Sequence, residues 1–314
     1  MKACSFLPAA TAMIQDMGLE EFLCGVTFEC PSDKPVVVRS LLGHHSYSSA
    51  EIDAIVSQAK AERKSLYWID EPLLQELSPD LIFTQDVCEV CQIDTACVQH
   101  ALSGLATKPA LIPLSPKTLE GVFHDAITIA RALGKEEHAH RHLAVIDQTI
   151  NQIRQTLQRH KAPVKSVVLL EWMDPVYNCG HWIPDMIQTA GGTDLMGIPG
   201  GYSGAVPWEE IIACDPQVLV IAPCGFKPAR AMEELDKLSS RPGWNDLYAV
   251  RNGAVYIADG DLFTCPGTRL VQGIQLLAAI LHPNLFDVPA FLSARFIQVS
   301  LHPSVSGPVA HEHA

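Results

Sequence analysis

No apolar run in this 314-residue chain is long enough to cross a bilayer. The longest, such as Val218–Pro223 and Leu276–Leu281, fall far short of the ~20 residues that a spanning helix needs. Basic residues are scarce: 22 Lys and Arg against 35 Asp and Glu leave a net charge of −13. Such a field repels phosphate and argues against a nucleic-acid scaffold or a polybasic membrane anchor. The chain has no P-loop, no G-x-G-x-x-G and no G-x-S-x-G, so the common nucleotide cradles and the nucleophile elbow find no support. No charged leader with an apolar core and a small-residue cleavage site precedes Met1-Lys2-Ala3-Cys4-Ser5. The expected compartment is therefore the cytoplasm, or the periplasm if a leader has been removed.

What is present is a globular balance, 48% apolar and 18% charged, enough for a core without a ligand or a disulfide to complete it. Ten cysteines stand at 4, 24, 30, 88, 91, 97, 179, 214, 224 and 265. In a 34 kDa chain of this type they read as thiols or metal ligands rather than as a disulfide framework.

The pattern is one of short buried strands alternating with helices. Strands are predicted at Val36–Val38, Asp80–Thr84 and Leu111–Leu114, and a helix over Ser49–Arg63 capped by Ser48 or Ser49. A helix from Ser115-Pro116-Lys117-Thr118 to about Leu133-Gly134 follows, then a longer one from Lys135 to about His160. Leu143, Ile146, Ile150, Ile153 and Leu157 form one stripe along it, and its length is roughly 39 Å at 1.5 Å per residue. The alternation then resumes with strands at Val167–Glu171, Val218–Ala222 and Ala254–Ile257. Helices are expected at Ile183–Ala190, Trp208–Cys214, Ala231–Leu238 and Thr268–Leu281. The expected organisation is an N-terminal lobe (1–115), connecting helices (116–162), a C-terminal lobe (163–285) and a loose tail (286–314). Leu77-Ser78-Pro79-Asp80-Leu81-Ile82-Phe83 is echoed by Ala213-Cys214-Asp215-Pro216-Gln217-Val218-Leu219-Val220-Ile221: a helix end, a proline turn and a buried strand, once in each lobe.

Ligands of open α/β sheets bind beyond the carboxyl ends of the strands. The residues placed there give a candidate binding set of Glu29, Cys30, Glu171, Trp172, Tyr177, His181, Trp182, Cys224, Phe263 and Arg269. Aromatic walls with a few polar groups suit a bulky, partly apolar ligand, although each aromatic reads equally as core. Cys88-Glu89-Val90-Cys91 is half of a zinc site, a redox pair or two packed thiols. With Cys179, His181 and Cys224 it makes up the candidate metal set. His181 sits just before a helix opened by Ile183-Pro184-Asp185, where its cationic form is disfavoured and a neutral imidazole can coordinate a metal or bond to backbone. His44-His45 reads as a solvated turn, the 138/140/142 histidines as a solvent face, and Arg269 as a carboxylate or phosphate binder or a structural ion pair.

Seven strings stand in a particular order: Ser5-Phe6-Leu7-Pro8-Ala9-Ala10-Thr11, Gly25-Val26-Thr27-Phe28-Glu29-Cys30-Pro31 and Ser78-Pro79-Asp80-Leu81-Ile82, then Ala190-Gly191-Gly192, Trp208-Glu209-Glu210-Ile211, Asp215-Pro216-Gln217-Val218-Leu219 and Arg241-Pro242-Gly243-Trp244. In these strings the chain resembles the substrate-binding proteins of cobalamin and ferric-siderophore ABC importers, most of all the cobalamin-binding branch, as a leaderless member. The resemblance covers about residues 1–285. It implies a class III fold, two Rossmann-like α/β lobes joined by a long backbone helix, with no enzymatic activity. It also implies a corrinoid or another metal-bearing macrocycle in the cleft and an ABC permease as partner. His181 or a cleft cysteine is then the expected axial ligand, with Trp172 and Trp182 against the ring. The thiols suit haem or a thiophilic metal ion equally well. The alternative is a metal-binding or thiol-dependent enzyme using Cys88 and Cys91 with Cys224 or His181.

Overall fold

The computed structural model describes residues 1–42, 46–62, 64–85, 102 and 108–299. The N-terminal half folds around a six-stranded sheet. Its strands are β1 (Ala3–Ser5), β2 (Leu23–Thr27), β3 (Val36–Ser40), β4 (Tyr67–Ile69), β5 (Leu81–Thr84) and β6 (Ala110–Pro113), in the order β4-β3-β2-β1-β5-β6. All neighbours pair in parallel except β3 with β4. Strands this short and apolar form where helices cover both faces. Here α1 (Pro8–Asp16) lies on one face, α2 (Ser49–Glu62) follows β3, and α3 (Glu71–Leu77) covers the other face. Of the two residues proposed as cap for α2, Ser48 takes the role. Its Oγ lies 3.3 Å from the Glu51 N–H, and the Glu51 carboxylate accepts the Ser48 N–H at 2.8 Å, a capping box.

The C-terminal half repeats the plan. Strands β7 (Lys165–Met173), β8 (Val176–Asn178), β9 (Gly192–Asp194), β10 (Val218–Ile221), β11 (Val255–Ala258) and β12 (Phe296–Gln298) form a sheet ordered β12-β11-β10-β7-β8, with β9 parallel to the start of β7. The echo between the halves has a conformational basis. Ser78 (φ 45°) and Asp215 (φ 37°) each end a helix in the left-handed region, directly before a proline and a buried strand.

Two helices join the sheets: α4 (Leu119–Ala132) and the 24-residue α5 (Glu136–Arg159). Both are sewn into two cores. Leu119 and Val122 of α4 pack in the C-terminal core, whereas Ala126, Ile129 and Ala130 pack in the N-terminal one. On α5, Ala139 enters the N-terminal core and Ile146, Ile150 and Ile153 the C-terminal one, with Leu143 against both. The stripe read from the sequence thus faces the C-terminal core, and of its members Leu143 also reaches the N-terminal one.

Two expectations are corrected. The single helix over Ala231–Leu238 is two short ones, α8 (Pro228–Met232) and α9 (Asp236–Ser239); α6 (Ile183–Thr189) and α7 (Trp208–Cys214) precede them. Between them the N–H groups of Glu234 and Leu235 bond back three residues rather than four, and Glu234 faces inward. The first part of the expected loose tail is held: β12 pairs antiparallel with β11, and Asp259 accepts a hydrogen bond from Arg295 at 2.6 Å. The rest of the C-terminal half comprises α10 (Tyr248–Arg251), α11 (Asp261–Thr264) and α12 (Leu270–Leu281).

Candidate functional site

Strand order reverses beside β1 and β5 in one sheet and beside β7 and β10 in the other. Loops leaving such neighbours diverge and open a crevice. On the C-terminal side the crevice is lined by backbone packed unusually close. The Cys224 N–H donates to the Glu171 carbonyl at 3.0 Å, and the Gly180 N–H to Glu171 Oε1 at 3.0 Å. Gly180 is required there: a Cβ would stand 2.4 Å from the Ser203 nitrogen. Gly260 is equally constrained, since a Cβ would stand 2.1 Å from the Pro223 carbonyl oxygen.

His181 follows in the left-handed region, φ 52°. Its N–H donates to the Gly201 carbonyl at 2.6 Å and its own carbonyl accepts from Gly200 at 2.9 Å, so the glycine-rich loop 197–204 is zipped onto it. The half-buried imidazole stands edge-on to Tyr202, centroids 5.4 Å apart, and 5.4 Å from Trp182. Lys117, from the start of the connector, lies 5.5 Å over the Tyr202 ring. Burial, then the Lys117 charge, lowers the His181 pKa. The ring is therefore neutral near pH 7, and among the described residues neither of its nitrogens has a hydrogen-bond partner.

A second group gathers at the opposite edge. Withdrawal from water, reinforced by Asp261 from the other lobe, raises the Glu29 carboxyl above the usual range. Cys265 is pushed up to about 12 by burial, then by Asp261, Cys224 and Glu29, against an opposing effect of Arg269. Lys227 bonds to Asp261 and, at 3.2 Å, to Asp259. Phe28 is 41% exposed and lies 6.1 Å from Tyr67.

Several residues of the candidate binding set make contacts within the protein. Trp182 and Phe263 are core: the indole N–H donates to the Phe263 carbonyl at 2.7 Å, and both side chains lie in the C-terminal cluster. Periodicity places an aromatic on a buried face but does not distinguish a wall from a core. Trp172 and Tyr177 hold α2 across the lobes, through Nε1 to the Ser49 carbonyl (3.1 Å) and the hydroxyl to Asp53 Oδ1 (3.0 Å). Ser49 in turn donates its N–H and hydroxyl to Glu234, at 3.0 and 2.5 Å to Oε2, and Arg230 pairs with the same carboxylate at 2.7 Å. Arg269 forms a two-pronged pair with Asp16 at 2.8 and 2.7 Å. Cys30 is buried and donates to Thr11 Oγ1 at 3.1 Å. The buried Cys179 thiol donates to Asp194 at 2.6 Å and is held well above its ordinary pKa by burial and by that carboxylate.

His138 and His142 do not face solvent alone. They bond to the Met17 carbonyl (3.0 Å) and Thr268 Oγ1 (2.9 Å), one to each lobe. Cys88, Cys91, His44 and His45 lie outside the described residues. Among the described residues no three His, Cys, Asp or Glu side chains stand together as a metal site. Glu171, His181 and Cys224 remain at the crevice. Tyr202, Lys117 and the Ser49–Glu234 contact were missed, although the run of glycines from 197 to 204 was a visible sign of a loop pressed against something.

Residues 73–262 match the family model described as periplasmic binding protein. An uncharacterized ABC transporter substrate-binding lipoprotein of Bacillus subtilis, YvrC, is 23% identical over 289 residues, covering 91% of this chain and 81% of its own. The periplasmic heme-binding protein HutB of Vibrio cholerae superposes with a TM-score of 0.66 at 19% identity, covering 90% of this chain and 99% of its own. The periplasmic vitamin B12-binding protein BtuF of the same organism gives 0.63 at 16%, covering 90% and 96%.

Proposed function

The chain belongs to the periplasmic binding protein family, and from that premise we propose that it holds a metal-centred tetrapyrrole, haem or a corrinoid, between its lobes. His181 is the axial donor in this reading, and an ABC importer permease receives the ligand. The observation that carries it is the His181 imidazole: neutral, half-buried, at the carboxyl end of the sheet, its ring nitrogens unengaged among the described residues. A neutral imidazole is a good ligand for iron or cobalt, and Tyr202 beside it offers an aromatic wall. The bound ligands named for HutB and BtuF, heme and vitamin B12, support the class of ligand. Fractionation tests delivery to the permease, because an importer takes its ligand from outside the cytoplasm: recovery of the chain outside the cytoplasm supports it, and residence in the cytoplasm, the other expected compartment, overturns it. The second reading, a thiol-dependent enzyme, rests on Cys88 and Cys91, which lie outside the described residues, and is tested by assaying Cys88→Ser for loss of any turnover.

The test is anaerobic purification with metal analysis, followed by absorbance titration with haem and with cobalamin. One equivalent of one macrocycle with a shifted spectrum is expected. His181→Ala should remove the shift and weaken binding about tenfold or more, as loss of an anchoring contact does. Retention of neither macrocycle overturns the reading. An unchanged spectrum in His181→Ala overturns the donor.

A further inference from the structure

At the end of the N-terminal sheet remote from the crevice, two thiols touch. Cys4 of β1 and Cys24 of β2 have their Sγ atoms 3.6 Å apart, on hydrogen-bonded neighbouring strands. The contact is built by the backbone. The register slips between Ala3, opposite Leu23, and Cys4, opposite Gly25, so Cys24 is the extra residue of a bulge and turns beside Cys4. Gly25 leaves the room: a Cβ there would stand 2.9 Å from Cys4 Sγ and 2.6 Å from a Val37 methyl.

We propose that Cys4 and Cys24 form a reversible disulfide, made by exchange with a small-molecule disulfide that enters at Cys24. Neighbouring strands lie ~4.8 Å apart, which is within the reach of a disulfide between their side chains. The two thiols are unequal in the way exchange requires. Cys24 is partly exposed and Cys4 is fully buried. The hydrogen bond between them, with burial, holds Cys4 protonated. The same bond, with the Lys2 charge nearby, makes Cys24 the more acidic. Cys24 is thus the attacking thiolate and Cys4 the resolving thiol.

The steps balance. The Cys24 thiolate attacks one sulfur of oxidised glutathione; that S–S bond breaks, a mixed disulfide forms and one glutathione thiolate leaves. Cys4 gives up its proton and attacks the Cys24 sulfur, expelling the second glutathione thiolate. The two protein thiols lose two hydrogens in all, and oxidised glutathione is reduced to two glutathione molecules.

The whole chain is equilibrated with oxidised and reduced glutathione, quenched in acid, alkylated, cleaved after glutamate and mapped by mass spectrometry without reduction. Cleavage after Glu20, Glu21 and Glu29 places Cys4, Cys24 and Cys30 on separate peptides. The expected product joins the Cys4 and Cys24 peptides at two hydrogens below their summed mass, and dithiothreitol releases it. Cys4→Ser should accumulate glutathione on Cys24, whereas Cys24→Ser should leave Cys4 unmodified in the folded protein. Recovery of both wild-type cysteines as alkylated thiols, with oxidation elsewhere or nowhere, overturns the proposal. Glutathione on Cys4 in Cys24→Ser, with the circular dichroism of the wild type, overturns the assigned order of attack.

Discussion

His181 occupies a backbone region that costs a residue with a Cβ about 1–2 kcal/mol. Nothing in the local chain needs a histidine there; a glycine would serve the turn at lower cost. In the proposed reading the imidazole is the donor, and two variants separate that role from the backbone cost. His181→Gly should be more stable than His181→Ala by about 1 kcal/mol in denaturant unfolding, while both lose the spectral shift of the bound macrocycle equally. Asp125 presents the opposite case. Its Oδ2 is buried with no hydrogen-bond partner among the described residues, and burial raises its pKa to about 7. An acid whose folded pKa exceeds its unfolded ~3.9 costs stability as pH rises from about 4 to about 7, because the unfolded chain releases the proton first. Asp125→Asn should accordingly raise the melting temperature at pH 8 and leave it unchanged at pH 4. The unusual setting of His181 was legible in the sequence from Gly180 before it and the helix start after it. The burial of Trp182 and Phe263 was not, since their carbonyl–indole bond joins residues 81 positions apart.

Helix α2 is the element that closes one rim of the crevice. Its first turn, already capped by Ser48, receives the Glu234 carboxylate from the other lobe, an anion where the helix dipole favours one. Burial opposes ionisation of Glu234, but Ser49 and Arg230 outweigh it and hold the pKa below the usual value. The clasp is therefore fully present above about pH 4.3, the ordinary glutamate value, and is lost as pH falls through the lower folded value. Glu234→Ala leaves the Ser49 N–H and hydroxyl without acceptors, a loss of about 1–3 kcal/mol. It should speed amide exchange in the first turn of α2 at pH 7, with the difference from wild type shrinking toward pH 3. The sequence located α2 by its capping serine, α4 by its start and its glycine stop, and α5 by its one long apolar stripe. Periodicity passed over β8, β9 and β12, which at three residues each are too short to show a period. It also joined α8 to α9, because nothing local marks Glu234 as the partner of a serine 185 residues away.

For the whole molecule, the decisive feature is how the two sheets are joined. Chains with two lobes commonly melt in separate steps. Here α4 and α5 each give side chains to both cores, and His138 and His142 bond one to each lobe. Calorimetry should show a single transition with matching calorimetric and van't Hoff enthalpies; two resolved transitions would mean that the shared helices do not couple the lobes. The two-lobe plan was visible in the alternation of elements, whereas the double seam was not, since it depends on which core each turn of α4 meets. Gly134, exposed between those two helices with open space around it, marks the tight turn that joins them. Severed there, the protein would divide into a piece carrying α4 and a piece carrying α5, each holding part of the lining of both cores. Neither piece could bury its own apolar surface, and each would find what it lacks in the other, so the two are built for complementation.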